Sequence, residues 1–235
     1  MTIRKRRPLR SMAVLCALGG SALLLTACGN AETTAAGVAA PAQTTSPAAS
    51  PSLSEDQAER KDLVPKAKVS WDKAADTAVG EVPRGKLTHL ELKRTSREAT
   101  AATGSPSPST PNPAPSVGSP EWAAEVAAPD GTVHRIDIDA ATGKVFRTQP
   151  DSDQDADDKR KVADRLGKAR QSPEQAVQAA TDRTKGTVTG IELDENDDRR
   201  LIWSVDIVTT DNWNKTTYDV DAGDGKILRE HVDRD

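Results

Sequence analysis

The chain has 235 residues, with 32 Lys and Arg against 36 Asp and Glu, 35% hydrophobic residues and 3% aromatic residues. This length allows one or two small domains. The net charge of −4 provides no basic footprint for nucleic acid, and beyond the N-terminal region no apolar run is long enough to form a transmembrane helix. The composition therefore disfavours nucleic-acid-binding proteins and integral membrane proteins.

Residues 1–27 have the pattern of a lipoprotein signal peptide. A basic stretch from Arg4 to Arg10 precedes a short apolar segment, Met12 to Leu25, and the segment ends in Leu25-Thr26-Ala27-Cys28. This tetrapeptide resembles the bacterial lipobox, whose cysteine is acylated and becomes the first residue of the mature protein. Cys28 is the predicted lipidation site, so we expect export, by the Sec or the Tat route, and anchoring to the lipid bilayer at the outer face of the bacterial cytoplasmic membrane.

Removal of the signal peptide changes both the charge and the supply of thiols. It removes five basic residues and no acidic ones, which leaves 27 Lys and Arg against 36 Asp and Glu, a net charge of −9. Cys16 is lost with the signal peptide and Cys28 carries lipid, so no cysteine remains for a disulfide, a nucleophile or a metal site. The exported part must depend on its hydrophobic core.

Residues 28–60 are predicted to be a disordered tether. Up to about Ser54 the segment consists mainly of Ala, Thr, Pro and Ser, with almost no large apolar side chains. Such a composition cannot bury enough apolar surface to offset the entropy of ordering. The tether would hold the folded part away from the membrane.

Two copies of one unit follow, at residues 62–150 and 164–235, and an acidic linker at residues 151–163 is expected to join them. The matching segments occur in the same order and with mostly equal spacing, which indicates an internal repeat. The matched pairs are Lys66–Ser70 with Lys168–Ser172, Gly85–Leu92 with Gly186–Leu193, Trp122–Val126 with Trp203–Ile207, Ile136–Asp139 with Tyr218–Asp221, and Gly143–Arg147 with Gly225–Arg229.

Each unit is predicted to be one helix followed by three or four antiparallel strands, an α+β fold in which the helix packs on a small sheet. Ser172-Pro173-Glu174-Gln175 has a serine cap, proline at the first helical position and glutamine three residues after the cap. Trp203, Val205 and Ile207 alternate with polar residues, as in a strand with one buried face. Trp122 has the equivalent position in the first unit, so both tryptophans are expected in the core.

The first unit differs from the second by an insertion at about residues 96–119. This segment includes Gly104–Pro113, rich in Pro and Ser, where the second unit has only Asp194–Asp198 as a turn. We expect a disordered insertion inside a hairpin, because lengthening a flexible loop adds little entropy cost. The alternative, an interdomain linker, would leave the first helix and strand of the unit without partners.

The second unit resembles the PepSY domain from about Lys168 to His231. The resemblance is carried by the serine that begins the helix, the strand ending Glu192-Leu193, the Trp-x-Val-x-Ile strand and the Asp221–Lys226 hairpin. The first unit shows the same features around its insertion, so the chain resembles a tandem PepSY bacterial lipoprotein. This resemblance implies a helix packed on an antiparallel sheet, as in the propeptides of secreted metallopeptidases and in envelope lipoproteins, together with peptidase binding or inhibition and no catalytic residues.

The residues that could support catalysis are few. The three histidines, His89, His134 and His231, belong to no metallopeptidase pattern, and the sequence has neither a Gly-x-Ser-x-Gly motif nor a Gly-rich phosphate loop. We therefore expect a protein that is not an enzyme and that uses no cofactor.

The aspartates at 151, 153 and 155 have the spacing of the first ligands of a calcium-binding EF-hand loop. The pattern then fails, because Ala156 stands where glycine is required and Val162 where the bidentate glutamate belongs. A solvated acidic linker is the favoured interpretation. The alternative, an envelope accessory protein that responds to Ca²⁺, stays open at this point.

Asp211, Asn212 and Trp213 form the candidate partner-binding site. They lie near a predicted turn, where a large aromatic residue is exposed unless it folds back over the sheet edge. If exposed, Trp213→Ala would leave the melting temperature nearly unchanged, whereas Trp203→Ala would lower it strongly. The sequence thus predicts a noncatalytic, lipid-anchored extracytoplasmic module that binds an envelope or secreted protein, with a peptidase as the partner class that the resemblance implies.

Overall fold

Two helices followed by four strands make up each half of the described chain. A computed structural model describes residues 53–101 and 112–234. The first half contains α1 (Glu55–Leu63), α2 (Trp71–Gly80), β1 (Lys86–Arg94), α3 (Arg97–Ala101), β2 (Pro120–Ala127), β3 (Val133–Asp139) and β4 (Val145–Pro150). The second half contains α4 (Ala156–Lys168), α5 (Pro173–Arg183), β5 (Thr187–Glu195), β6 (Leu201–Val208), β7 (Lys215–Asp221) and β8 (Ile227–Asp233). Apart from α3, the order of these elements is the same in both halves.

All eight strands form one antiparallel sheet in the order β4-β3-β2-β1-β5-β6-β7-β8. The two halves meet where β1 pairs with β5, with Leu90 opposite Ile191 and Glu91 opposite Gly190. Because this pair joins the first strand of each half, the strand order of one half mirrors that of the other. The predicted α+β class is confirmed, and a single shared sheet takes the place of two separate small sheets.

One face of the sheet carries α2 and α5 over a continuous hydrophobic core. Leu90 and Ile191 lie at its centre, and Trp122 and Trp203 lie in the second strand of each half, all at most 2% exposed. The predicted core positions of both tryptophans are confirmed. The helices can approach the sheet closely because their fully buried positions hold alanine, namely Ala74, Ala78, Ala176 and Ala180.

The two tryptophans make the same hydrogen bond in the two halves. Nε1 of Trp122 donates to the carbonyl of Val69, and Nε1 of Trp203 donates to the carbonyl of Gln171, both at 2.9 Å. Val69 and Gln171 are the residues immediately before the serines that begin α2 and α5. Each tryptophan therefore fixes the approach of its helix to the sheet, which satisfies the indole N–H inside the core.

The first helix of each half contacts a hairpin of the other half. In α1, Arg60 Nη1 donates to the carbonyl of Trp213, in the β6–β7 hairpin, at 3.0 Å. In α4, the Lys159 carbonyl lies so close to Gly131, in the β2–β3 hairpin, that a Cβ at that position would clash with it. We call these two the reciprocal helix contacts, and they join the halves at places away from the β1–β5 pair.

The tether predicted to run to residue 60 ends earlier, because α1 begins at Glu55. The Ser54 hydroxyl accepts a hydrogen bond from the Gln57 amide, and the Gln57 side chain accepts one from the Ser54 amide. This capping box satisfies two amides that a helix start leaves without partners, so residues 55–60 are helical and do not belong to the predicted tether. Residues 28–52 lie outside the described residues.

The acidic linker predicted at residues 151–163 is largely helical, because α4 begins at Ala156. The Asp155 carboxylate accepts hydrogen bonds from the amides of Asp157 and Asp158, both at 2.8 Å. Acidic side chains in a first helical turn also interact favourably with the positive end of the helix dipole. The clustered aspartates thus begin a helix in this chain.

The insertion predicted to be disordered at residues 96–119 also contains ordered backbone. It includes α3, and the Thr95 amide donates to the Ser119 carbonyl at 2.8 Å, where the chain enters β2. As expected, β1 and β2 pair across the insertion as an antiparallel hairpin. Residues 102–111 lie outside the described residues.

The serine caps of α5 and α2 allow a matched test. The Ser172 hydroxyl accepts a hydrogen bond from the Gln175 amide, whereas Ser70 makes no side-chain cap bond. We expect Ser172→Ala to lower the free energy of unfolding by about 1 kcal/mol, and Ser70→Ala to lower it by less than half as much. Urea unfolding of both variants checks this, and equal losses would contradict the assignment of the cap.

Candidate functional site

The predicted partner-binding hairpin is part of a contact between the two halves. Trp213 is half-buried and packs against the core, and its carbonyl accepts a hydrogen bond from Arg60 of α1. The neighbouring Asn214 Oδ1 accepts a hydrogen bond from Gln57 Nε2 at 2.8 Å. The hypothesis of a freely exposed Trp213 is therefore wrong, because the ring folds back onto the protein. We accordingly expect Trp213→Ala to cost stability.

Asp211 and Asn212 are exposed at the tip of the same hairpin. The Asn212 side chain accepts hydrogen bonds from the Thr209 hydroxyl at 2.6 Å and from the Asn214 amide at 2.9 Å. These bonds stabilise the turn itself, as asparagine side chains commonly do. The exposed surface left for a partner at this tip is small and polar.

Trp213 also has an unusual backbone conformation. Its φ angle is +60°, in the left-handed region that large side chains avoid. The equivalent residue in the β2–β3 hairpin is Gly131, with φ of +84°, whose carbonyl accepts a hydrogen bond from Gln154 Nε2 at 3.3 Å. In both hairpins the same carbonyl accepts a hydrogen bond from a side chain outside the hairpin, and the second hairpin has a tryptophan where glycine fits best.

Substitutions at Trp213 should separate backbone strain from packing. Trp213→Gly and Trp213→Ala both lose the indole contacts, but only glycine removes the left-handed cost, so we expect the glycine variant to be more stable by about 1 kcal/mol. At exposed Asp211, where φ is not positive, glycine should confer no advantage over alanine. Chemical denaturation of the four variants tests this, and an alanine variant as stable as glycine at position 213 would refute it.

The sheet face opposite α2 and α5, which we call the outer face, has an acidic centre. Its residues alternate with the core residues along the strands. His89 lies at the middle, with Nε2 4.0 Å from Glu91 and Nδ1 3.9 Å from Glu192. Glu125 lies directly opposite His89 on β2, and Asp194 lies two residues after Glu192 on β5. One histidine therefore lies among several carboxylates at the junction of the two halves.

The acidity of this centre changes the titration of Glu192. Partial burial is the largest cause that raises its pKa; the nearby His89 lowers the pKa in part, and Asp194 and Glu125 raise it further. Carboxylates that are close to one another are costly to ionise together. Glu125 and Asp194 already have basic neighbours, Arg135 at 3.7 Å and Arg165 at 3.9 Å. Glu91 and Glu192, beside His89, are therefore the carboxylates of this centre best placed to pair with a basic side chain of a partner.

A second carboxylate on the outer face is buried in the first half. The Glu121 side chain is 1% exposed, and its Oε2 has no hydrogen-bond partner among the described residues. Burial and the nearby Asp137 carboxylate raise the pKa of Glu121 to about 7, although Thr95, Lys93 and Arg147 act in the opposite direction. Near neutral pH this carboxyl is therefore about half protonated.

The insertion packs against the first half and has no counterpart in the second half. Asn112 Nδ2 donates to the Val145 carbonyl at 2.8 Å, which ties the insertion to β4. Ala99 of α3 is 1% exposed and Phe146 is fully buried, whereas Leu228, which matches Phe146 in the second half, is 37% exposed. The second half has no such insertion, and Ile202 stands where the first half has Glu121.

Glu121 predicts a specific dependence of stability on pH. The pKa of Glu121 in the folded protein lies above its ordinary value of 4.5, so folding favours the protonated carboxyl. The contribution of this protonated carboxyl to the free energy of unfolding is therefore complete below pH 4.5 and is lost as the pH rises to about 7. We expect this carboxyl to lower the free energy of unfolding by up to about 3 kcal/mol between pH 4.5 and pH 8.

Glu121→Ile, which copies the second half, should therefore stabilise the protein at pH 8 more than at pH 5. Glu125→Gln, at a more exposed position on the same strand, is the control. Urea unfolding at the two pH values measures the difference. A pH dependence that is unchanged in Glu121→Ile would show that another group is responsible.

The aspartates considered as calcium ligands are occupied by other contacts. Asp151 pairs with Arg135 at 3.3 Å, Asp153 Oδ1 accepts a hydrogen bond from the Ser152 hydroxyl at 3.3 Å, and Asp155 caps α4. Within residues 53–101 and 112–234, no three His, Cys, Asp or Glu side chains are grouped to hold a metal ion. The structure thus favours a helix start over a cation-binding loop.

The other predicted features are dispersed or lie elsewhere. His89, His134 and His231 belong to β1, β3 and β8 respectively. Cys28 and the signal peptide lie outside the described residues. Across the described part of the chain, every helix is too short or too polar to cross a bilayer.

Comparisons with known proteins identify one domain. The family profile described as "Peptidase propeptide and YPEB domain", PepSY, matches residues 170–231, so this part of the second half is a PepSY domain. The first half has the same order of elements without such a match, and its membership stays a prediction. No curated protein matches the chain.

A solved structure also shows a weak likeness. It is that of a candidate lipoprotein from Clostridium difficile 630, with 19% identity and a TM-score of 0.37, and the match covers 71% of this chain and 95% of that chain. At this TM-score the likeness carries no argument about this protein.

Proposed function

We propose that this protein is a noncatalytic, lipid-anchored extracytoplasmic module that binds and regulates a secreted or envelope peptidase. The observation that carries the proposal is the PepSY domain at residues 170–231, in a family whose description includes peptidase propeptides. The lipobox at Cys28 supplies the anchor and the extracytoplasmic location. A propeptide-like domain acts by covering its partner, so its function requires a stable surface rather than a reactive group.

The outer face has the properties of such a surface. Ion pairs across neighbouring strands, such as Arg229 with Asp219 at 3.2 Å and Lys215 with Asp206 at 3.5 Å, order its side chains. Around His89 the carboxylates outnumber the bases, in agreement with the acidic charge of the processed chain. Complementary charge speeds association and selects partners, so a basic region on the peptidase is the expected counterpart.

The alternative of a Ca²⁺-responsive accessory protein has less support. Of its candidate ligands, Asp155 already caps α4 and Asp151 already pairs with Arg135 at 3.3 Å. Calcium would have to displace these contacts before it could bind. We therefore retain a single proposed function.

Inhibition of a peptidase by the soluble protein tests the proposal. Protein from Gly29 onward would be added to peptidases purified from the culture supernatant of its own organism, and saturable inhibition or binding is expected. Glu91→Lys with Glu192→Lys reverses two charges at the centre of the outer face and should weaken binding at least tenfold. Asp182→Lys, on α5 and exposed, changes charge on the helix side and should have little effect. Failure to bind any of these peptidases would contradict the proposal.

A further inference from the structure

A cavity of about 400 Å³ lies on the helix side of the sheet, between α2 and the segment that joins α4 to α5. It is separate from the outer face. Its wall combines apolar and polar side chains and includes the fully buried Trp203, whose Nε1 donates a hydrogen bond to the carbonyl of Gln171 at the rim. Apolar pockets of this size with a few polar groups at the rim are the usual form of a binding site. Besides Pro173, the apolar lining residues are Ala75, Val79, Leu87, Leu166, Ala169 and Trp203.

The internal repeat explains why this cavity exists. Pro173, the first residue of α5, lines the cavity, and the matching first residue of α2 is Trp71, which packs against the core. Ala75 of α2 also lines the cavity, and its match in α5 is the larger, buried Val177. At both positions the side chain that borders the cavity is the smaller of the pair. In the first half, the corresponding position at the start of the helix thus holds an indole ring, that of Trp71.

The chain itself has no spare aromatic side chain to fill the cavity. It contains four Trp, one Tyr and one Phe, and all six lie within the described residues. Four of them are buried, and Trp71 and Trp213 pack against the core. An aromatic occupant must therefore come from another molecule.

The rim adds charge to this apolar space. Asp76 and Glu174 supply negative charge and Lys86 and Arg170 supply positive charge, and all four are exposed. None forms an ion pair within the described part of the chain. A segment with charged residues of both signs beside an aromatic side chain would match the rim and bury its ring against Trp203.

We infer that this cavity binds an aromatic side chain, presented on a charged segment of a partner protein. The inference rests on the proposed function, since it gives the regulated partner a second point of attachment. An aromatic ring in a preformed apolar pocket is a common dominant contributor to binding. The cavity and the acidic outer face lie on opposite sides of the sheet, so each can be tested alone.

Titration with N-acetyl-L-tryptophanamide tests the cavity without any partner. The indole N–H signals of the ¹⁵N-labelled protein provide the readout, because Trp203 lines the cavity and the matching Trp122 does not. We expect the Trp203 signal to shift and saturate at millimolar ligand, while the Trp122 signal stays in place. A Trp203 signal that does not shift, or equal shifts of both signals, would overturn the inference.

Two substitutions at Pro173 complete the test. Pro173→Trp copies Trp71 and fills the cavity, so it should weaken the binding of N-acetyl-L-tryptophanamide at least tenfold. Pro173→Ala removes the proline without filling the space and should leave the titration unchanged. Unaltered binding in the tryptophan variant would place the ligand elsewhere and refute the site. Because no peptidase takes part, this result is independent of the inhibition experiment.

Discussion

The pairing of β1 with β5 is the constraint on which the rest of the structure depends. Leu90 and Ile191 face each other in this pair, fully or almost fully buried, so each half covers an apolar strand edge of the other. Without the pair, each half would expose an unpaired first strand whose inward side is apolar, which is the state that promotes aggregation. The two halves, with helices on one face, therefore form one sheet rather than two domains. The reciprocal helix contacts, through Arg60 and through the backbone at Gly131, follow from this mirrored arrangement.

The shared sheet separates two kinds of surface. The helix side holds the core and the cavity beside Trp203, and the outer face holds the charged side chains around His89. The halves have diverged mainly where the surfaces differ: the first half has an insertion and the buried Glu121, and the second has Ile202 and an exposed Leu228. This divergence suits a module that presents different surfaces to one partner, as we propose, and the PepSY domain of the second half is the part with a recognised relationship to peptidase propeptides.

The sequence predicted the fold class and the buried tryptophans, because helix caps and alternating strand residues are local signals. It did not predict the common sheet. The pairing of Leu90 with Ile191 joins residues that are far apart in the chain, and no local sequence pattern indicates which distant strand pairs with β1. The burial of Glu121 was missed because strand alternation places this residue on the face expected to be wet, whereas it is 1% exposed in the structure. Trp213 was assigned to a binding site because a turn favours exposure, whereas a distant helix, α1, holds it in place.

Cutting the chain between the halves tests the single-sheet account most directly. Ser152 and Asp153 are exposed between β4 and α4, so a protease site placed there would allow one clean cut in the folded protein. After the cut, size-exclusion chromatography and urea unfolding would show whether the halves stay together. The account predicts one species of unchanged size and a single unfolding transition. Two separate fragments, each folded and unfolding independently, would contradict it.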